Sequence, residues 1–329
     1  QLSTQDPSLA TDTTSFQALL NTGDGLYRLD KNNKPQLSLA TKAKTSNNGK
    51  TYDFYLRKNA KWSNGDPITA KDFVYSYRRT VNPATKSQMA FYLYQIKNAQ
   101  AINSGKKQPS SLGATAVSKY HLRVQLTRPL SYFKILLAWP LFFPQNQKVV
   151  QKYGKLYGTQ AKYTVSSGPF TLTKWNGNNK VWSLVKNKNY WDAKDVKLSK
   201  VNEQVSESTT TSYNLFQAGK ADETGLTGQQ VASNKNKVGY HARLSSAIRR
   251  LELNQNKVKA FKDLKIRQAF SYAINRQQLA NNILKDGSIP AKGFVPSGMG
   301  TNPKTGAQFE NDAYVKSGVS YNLKKAKTL

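Results

Sequence analysis

Short segments of alternating apolar and polar residues recur along this chain, and they narrow the possible folds more than any other feature. Residues 51–57 place Tyr52, Phe54 and Leu56 on one face, the pattern of a half-buried β-strand. Residues 121–126 alternate in the same way, so we expect His121 to point outward from a strand rather than to bind a metal. The chain is therefore expected to contain sheets that bury one face against a core.

Segments whose apolar residues have helical spacing separate these strands. Residues 69–72 have the spacing of a capping box and precede an apolar stripe, and a longer helix is expected from Asp263 to about Gly287. Residues 168–175 and 181–185 flank a turn and predict a hairpin. The elements show neither a regular strand–helix–strand rhythm nor an internal repeat. This pattern predicts a mixed α/β (α+β) fold in more than one domain, because 329 residues exceed the usual span of one hydrophobic core.

The composition argues against an enzyme. The absence of cysteine excludes disulfide scaffolds, thiol nucleophiles and cysteine-ligated zinc. His121 and His241 are far apart, so we expect no multi-histidine metal site and no cofactor. Residues 49–51 resemble the end of a phosphate-binding loop, but Lys44 stands where that motif requires glycine. The adjacent acids at 222–223 are expected to lie in a solvated loop.

The charge of the chain is strongly positive. Fifty Lys and Arg oppose 18 Asp and Glu, a net charge of +32, and no acidic residue occurs between Asp72 and Asp192. Such a field attracts polyanions such as teichoic acid, anionic glycans or lipids. A solvated basic surface suited to an anionic cell envelope is the other interpretation. Nucleic acid is not an expected partner, because motifs of the known nucleic-acid-binding domains are missing.

The sequence does not predict a membrane span. The longest apolar stretch, residues 135–143, is too short to cross a bilayer and contains Pro140. Gln1 is not followed by the charged and apolar regions of a signal peptide. The protein is therefore expected to be cytosolic, or else the sequence begins inside a processed mature chain.

Several short sequence segments resemble those of the family 5 solute-binding proteins of ABC importers, most closely the oligopeptide-binding lipoproteins of Gram-positive bacteria such as lactobacilli. The most specific phrase is Ala-Lys-Trp-Ser-Asn-Gly-Asp-Pro at 60–67, with the helix that follows it. These segments follow one another in the same order as in members of the family. They comprise residues 6–12, 25–30, 56–67, 69–79, 167–170, 188–192 and 266–276.

The resemblance implies a periplasmic-binding-protein-like fold, in which two lobes close over a ligand and an additional domain is typical of peptide binders. It assigns residues 1–24 and 145–245 to the first lobe, 25–144 to the additional domain, and 246–329 to the beginning of the second lobe. Family members are normally much longer than this chain. The second lobe is therefore expected to be incomplete here.

The resemblance also implies a function. A non-catalytic receptor of this kind binds an oligopeptide and delivers it to the membrane permease and ATPase subunits of an ABC importer. It is held on the extracellular face of the cell membrane by an N-terminal lipid, which this sequence does not include. The alternative is a cationic cell-surface adhesin that binds anionic cell-envelope polymers or matrix.

The same resemblance implies which residues contact the peptide. Met89 falls where the additional domain usually presents an aromatic side chain, and Leu244, Ser246 and Ile248 fall on a strand beneath the cleft. Arg249 and Arg250 stand where relatives carry aromatics, which would favour ligands with acidic groups. The full expected set is Thr11, Asp12, Thr13, Thr14, Met89, Gly225, Leu226, Thr227, Leu244, Ser246 and Ile248.

Overall fold

The computed structural model describes residues 1–245, 247–296, 298–302, 304–312 and 320–329. These residues form two units, Gln1–Val205 and Ser206–Leu329. The division at 24/25, 144/145 and 245/246 that the family resemblance implies stays a prediction.

The first unit contains five α-helices and nine strands. The helices are α1 Thr13–Thr22, α2 Ala70–Val81, α3 Ala99–Asn103, α4 Phe133–Leu136 and α5 Gln147–Tyr153. The strands are β1 Tyr27–Leu29, β2 Pro35–Leu37, β3 Ala40–Ser46, β4 Thr51–Leu56, β5 Ala114–Ser118, β6 His121–Gln125, β7 Phe170–Thr173, β8 Val181–Lys186 and β9 Lys200–Gln204. Short 3₁₀ turns occupy Pro83–Thr85, Ala90–Leu93, Pro109–Ser111, Pro140–Phe142, Gly154–Leu156, Ala161–Tyr163 and Ala193–Asp195.

The strands pair in three antiparallel sheets, β1-β2, β3-β4-β6-β5 and β7-β8-β9. The alternating segments are confirmed as β4 and β6, and the predicted hairpin as β7 and β8. Phe54 lies opposite Leu122 in the register of β4 and β6, so the apolar side chains of both strands share the buried face.

His121 lies on the outer face of this sheet, as expected, but it has a partner there. Its Nε2 is 2.6 Å from Asp53 Oδ1, and Arg123 Nε donates to the same oxygen at 2.9 Å. Partial burial would raise the pKa of Asp53, but the hydrogen bonds from Arg123 and His121 hold it below its ordinary value. Within the described residues, no three His, Cys, Asp or Glu side chains are grouped as metal ligands would be.

The capping box that starts α2 is confirmed. The Asp72 carboxylate accepts hydrogen bonds from the Thr69 N–H at 2.7 Å and from the Thr69 hydroxyl at 2.8 Å. The helix then buries Phe73 and Tyr77 completely. This cap fixes where α2 begins and therefore which of its faces packs on the core.

The first unit has two hydrophobic clusters. The larger one draws on residues 26–142 and contains α2 and the inner face of the four-stranded sheet. The smaller one combines Leu2 and Ala18 with residues 170–184 of β7, β8 and their connection. The N-terminal segment therefore packs with strands that lie some 170 residues further along the chain.

A buried ion pair joins the N-terminal segment to α2. Arg79 donates to both carboxylate oxygens of Asp6, with distances of 2.7 and 2.6 Å, and Asp6 is 1% exposed. Arg79 also donates to Gln145 Oε1 at 2.8 Å, and the Gln145 amide donates to Ser8 and Ser76. The network leaves each of these buried polar groups with a hydrogen-bond partner.

A second buried carboxylate belongs to Asp24. It accepts hydrogen bonds from the Ser38 hydroxyl at 2.7 Å, from Trp191 Nε1 at 3.0 Å and from the Tyr190 hydroxyl at 3.2 Å. Complete burial raises the pKa of Asp24 above its ordinary value, although Arg28 and these hydrogen bonds act in the opposite direction. The carboxylate therefore ties together residues from both ends of the unit.

We expect Asp24→Asn to destabilise the protein, and more so in acid. Asparagine turns an amide N–H toward groups that already donate, and it removes the carboxylate that lies 3.5 Å from Arg28. Because the folded-state pKa of Asp24 is raised, its contribution to stability is fullest below its unfolded pKa and is lost as pH rises through the folded pKa. The difference in free energy of unfolding between wild type and variant should therefore widen as pH falls from the folded-state pKa of Asp24 to its unfolded-state pKa. Urea titrations at several pH values measure it, and a constant or shrinking difference would show that Asp24 titrates normally.

The regular elements of the second unit are helices in its described part. Its helices are α6 Thr209–Gln217, α7 Gly228–Asn234, α8 Leu264–Ala273, α9 Arg276–Gln278, α10 Phe309–Asp312 and α11 Leu323–Thr328, with a 3₁₀ turn at Lys259–Lys262 and a π-helical turn at Leu279–Leu284. Its described residues bury only two apolar side chains, Tyr272 and Ala280. Across the described parts of both units, each helix is too short or too polar to cross a membrane.

The prediction of one continuous helix from Asp263 to Gly287 is wrong. Helix α8 starts at the predicted Asp263 cap but ends at Ala273, and Ile274 is extended. The Asn275 side chain then accepts a hydrogen bond from the Gln278 N–H at 2.9 Å and caps a new helix. Asparagine side chains compete with helical backbone bonds in this way, and the apolar spacing did not reveal it.

Candidate functional site

The segment expected to lie beside the ligand backbone forms the start of α1. Asp12 is the N-cap and accepts from the Ser15 N–H at 2.8 Å and from the Ser15 hydroxyl at 2.7 Å. Partial burial would raise the pKa of Asp12, but these hydrogen bonds hold it below its ordinary value. Thr11 and Thr13 are exposed and Thr14 is half-buried. Their hydroxyls offer both a donor and acceptors, which suits the N–H and C=O groups of a peptide.

A row of aromatic rings begins one turn further along α1. Phe16 packs on Trp139 with centroids 5.1 Å apart, Tyr92 meets Trp139 edge-on at 4.6 Å, and Phe91 lies 4.3 Å from Tyr92. These four residues, here called the aromatic row, are half-buried except Phe91, which is 49% exposed. Partly exposed aromatic side chains supply large apolar contact area at small conformational cost.

Met89 lies next to this row. It precedes the 3₁₀ turn Ala90–Leu93, is half-buried, and packs against the larger hydrophobic cluster. Its carbonyl accepts from the Tyr92 N–H at 3.1 Å. The structure therefore brings the start of α1 and the Met89 turn to one surface, with Trp139 between them. The exposed aromatic is Phe91, two residues after the position that the resemblance indicated.

In the second unit, Gly225 and Leu226 lead into α7. Thr227 caps that helix, and its N–H and hydroxyl both donate to Gln230 Oε1 at 2.9 and 3.0 Å. Gly225 and Thr227 are exposed and Leu226 is half-buried. The capping box uses the Thr227 hydroxyl hydrogen, while the Gly225 backbone is open to a ligand.

The strand expected at Leu244, Ser246 and Ile248 is not present in the described residues. Leu244 and Ile248 lie in a segment without regular structure, Leu244 is 64% exposed, and Ser246 lies outside the described residues. The family resemblance implies this strand, but a strand forms only when a neighbouring strand accepts its hydrogen bonds, and no pairing involves this segment within the described part of the chain.

The two arginines that follow have carboxylate partners in their own unit. Arg249 lies 3.7 Å from Asp286, and Arg250 pairs with Glu252. All four side chains are partly or largely exposed, so these pairs contribute little to stability. The pairs nevertheless reduce the positive charge available to an acidic ligand at this point.

Sequence reasoning missed the aromatic row. Trp139 belongs to the longest apolar stretch of the chain, which is too short to cross a membrane and has no sequence motif of a binding site. Its partners Phe16 and Tyr92 are remote in sequence, so no local pattern indicates that the rings meet. Their convergence follows from tertiary packing alone.

Comparisons with known proteins place the chain among relatives along its whole length. The sequence model of the bacterial extracellular solute-binding proteins, family 5 (middle), matches residues 34–329. The dipeptide-binding protein of Lactococcus lactis subsp. cremoris is 38% identical over 98% of this chain and 60% of that protein. The oligopeptide-binding protein OppA of Bacillus subtilis is 34% identical over 89% of this chain and 54% of that protein.

Solved structures agree with these matches. Listeria monocytogenes OppA bound to peptide superimposes with a TM-score of 0.87 at 35% identity, covering 100% of this chain and 65% of that one. The mixed α/β prediction is confirmed by this likeness. The chain spans about 54–65% of the length of the relatives named here.

Proposed function

This chain belongs to the family 5 bacterial extracellular solute-binding proteins, and we propose that it acts as a peptide-binding receptor of an ABC importer. The observation that carries the proposal is the superposition on peptide-bound OppA over the whole chain, at an identity well above that of chance fold similarity. The names of two relatives, a dipeptide-binding and an oligopeptide-binding protein, point to the same ligand class. The cationic adhesin gains no support from any of these relatives.

The chemistry of the first unit fits a ligand of varied sequence. The backbone of an extended peptide offers one N–H and one C=O per residue, and the hydroxyls of Thr11 and Thr13 complement such groups. The aromatic row supplies contact with side chains without demanding a particular one. Trapped water then bridges polar groups that do not match directly.

We propose that the protein is not an enzyme. The proposal rests on the family, whose members are solute-binding proteins, that is, proteins that bind their ligands rather than convert them. The protein would deliver intact peptides to membrane permease and ATPase subunits from the extracellular face of the membrane, anchored there by an N-terminal lipid. Peptides incubated with the protein are expected to keep their masses, and progressive cleavage would refute this part of the proposal.

Removal of an aromatic ring tests the placement of the site. We expect Phe91→Ala and Trp139→Ala each to weaken peptide binding by about 2 kcal/mol, roughly 30-fold in Kd, because aromatic anchors dominate binding energy. Calorimetric titration with defined dipeptide, tetrapeptide and octapeptide pools measures the effect and the preferred length.

Tyr163→Ala is the matched control, because Tyr163 is a half-buried ring of the same unit that packs against Tyr153, with the ring centroids 5.0 Å apart. The peptide affinity of the Tyr163→Ala variant should equal that of the wild type. Equal losses in all three variants would place the peptide elsewhere while leaving the function intact. Absence of binding by the wild-type chain to every pool would count against the function itself.

A further inference from the structure

An open groove of about 620 Å³ runs along α2, and none of its lining residues belongs to the aromatic row. Lys71, Tyr75, Arg78 and Asn82 are spaced by four, three and four residues, so they follow one face of the helix. The opposite wall comes from Pro109, from Thr115 and Ala116 of β5, and from Gln147 of α5. None of these residues belongs to the expected peptide-binding set.

The groove is lined by cations and by no carboxylate. Lys71, Arg78 and Arg79 line it, and the elements of the opposite wall all come from the acid-free stretch between Asp72 and Asp192. Two acids next to its lining residues are already bound, Asp6 by Arg79 and Asp72 by the Thr69 cap. The positive charge of Lys71 and Arg78 is therefore left without a protein counter-charge in the described part of the chain.

Arg78 carries a hydrogen-bond donor that the protein leaves unused. Its Nη2 donates to the Ser110 carbonyl at 3.0 Å, which holds the guanidinium against the 3₁₀ turn Pro109–Ser111. Its Nε is buried and has no hydrogen-bond partner among the described residues. Buried donors are normally paired, and an unpaired one is costly. An oxyanion that bridges Nε and the guanidinium edge would satisfy it in the geometry that arginine prefers.

We propose that this groove is a binding site for a ligand that carries an oxyanion group, a phosphate or a carboxylate. Arg78 anchors the anion, Lys71 adds a second positive charge about two turns earlier on α2, and Tyr75 forms the floor between them. Asn82 and Gln147 provide amides for the polar remainder of the ligand. The site is separate from the proposed peptide site, and its occupancy does not depend on that function.

Titration calorimetry of the intact chain with inorganic pyrophosphate and, separately, with citrate tests this proposal. We expect saturable binding of at least one probe, and the tighter one identifies the preferred oxyanion. The double variant Lys71→Gln/Arg78→Gln should weaken binding by about tenfold or more. The control Lys42→Gln/Lys44→Gln removes the same charge from exposed positions on β3 and should weaken it less than about twofold.

A second variant protects the test against misfolding. Thr115→Glu places a carboxylate on the exposed wall of the groove without changing α2, and it should abolish binding while the thermal melt stays that of the wild type. Equal weakening in both lysine-containing double variants would mean that the general positive field attracts the probes. That result, or no binding of either probe below roughly 5 mM, would overturn the proposal.

Discussion

Arg79→Leu should lower the free energy of unfolding of the Gln1–Val205 unit by about 3–5 kcal/mol. The substitution leaves the Asp6 carboxylate, which is 1% exposed, without the cation that binds both of its oxygens. It also removes a donor from Gln145, so the buried hydrogen-bond network loses a second partner. Urea unfolding followed by tryptophan fluorescence measures the loss, because all five tryptophans lie in this unit.

Two comparisons separate the ion pair from a general loss of charge. Arg128→Leu removes an exposed arginine whose contact with Gln95 is long, 3.4 Å, and should cost less than about 0.5 kcal/mol. Asp6→Leu/Arg79→Leu removes both charges, and it should be more stable than Arg79→Leu alone because no uncompensated charge remains buried. A double variant that is less stable than the single one would show that the pair itself stabilises the fold.

Unfolding of the 329-residue chain should occur in two separate steps, with Ser206–Leu329 unfolding first. This unit buries only Tyr272 and Ala280 among its described apolar side chains, whereas Leu251, Ile283 and Phe294 are 72, 67 and 78% exposed. Apolar burial supplies the main stabilisation of a domain, so a unit with little of it has little resistance to denaturant. Far-UV circular dichroism should therefore fall at low urea before the tryptophan fluorescence changes.

Glycine substitutions assign each step to its unit. A Cβ on Gly228 would collide with the Leu284 carbonyl oxygen, so Gly228→Ala should shift only the early step to lower urea. A Cβ on Gly168 would collide with the Gly23 carbonyl oxygen, so Gly168→Ala should shift only the late step. Gly225→Ala, at a position with open space, serves as the control. A single transition that both probes report together would show that the two units unfold as one.

The sequence predicted those parts of the fold that depend on local pattern. The alternation in β4 and β6, the hairpin of β7 and β8, and the capping box at Thr69 all express interactions between residues close in the chain or one strand apart. The same approach failed after Ile274, where an asparagine side chain outweighed a favourable apolar spacing. The strand that the family resemblance implies at Leu244 and Ile248 is not formed within the described residues, where no neighbouring strand pairs with this segment.

By itself the sequence determined the mixed α/β class, the strongly positive charge and the family phrases that identify a solute-binding protein. Only the tertiary structure decided which distant side chains are in contact. Asp6 binds Arg79, Asp24 binds Trp191, and Phe16 is linked to Tyr92 through Trp139. These contacts join residues about 50 to 170 positions apart. A buried carboxylate or a stacked ring gains its partner from the packing of whole elements, and the free energy of that packing is not a property of any local window of sequence.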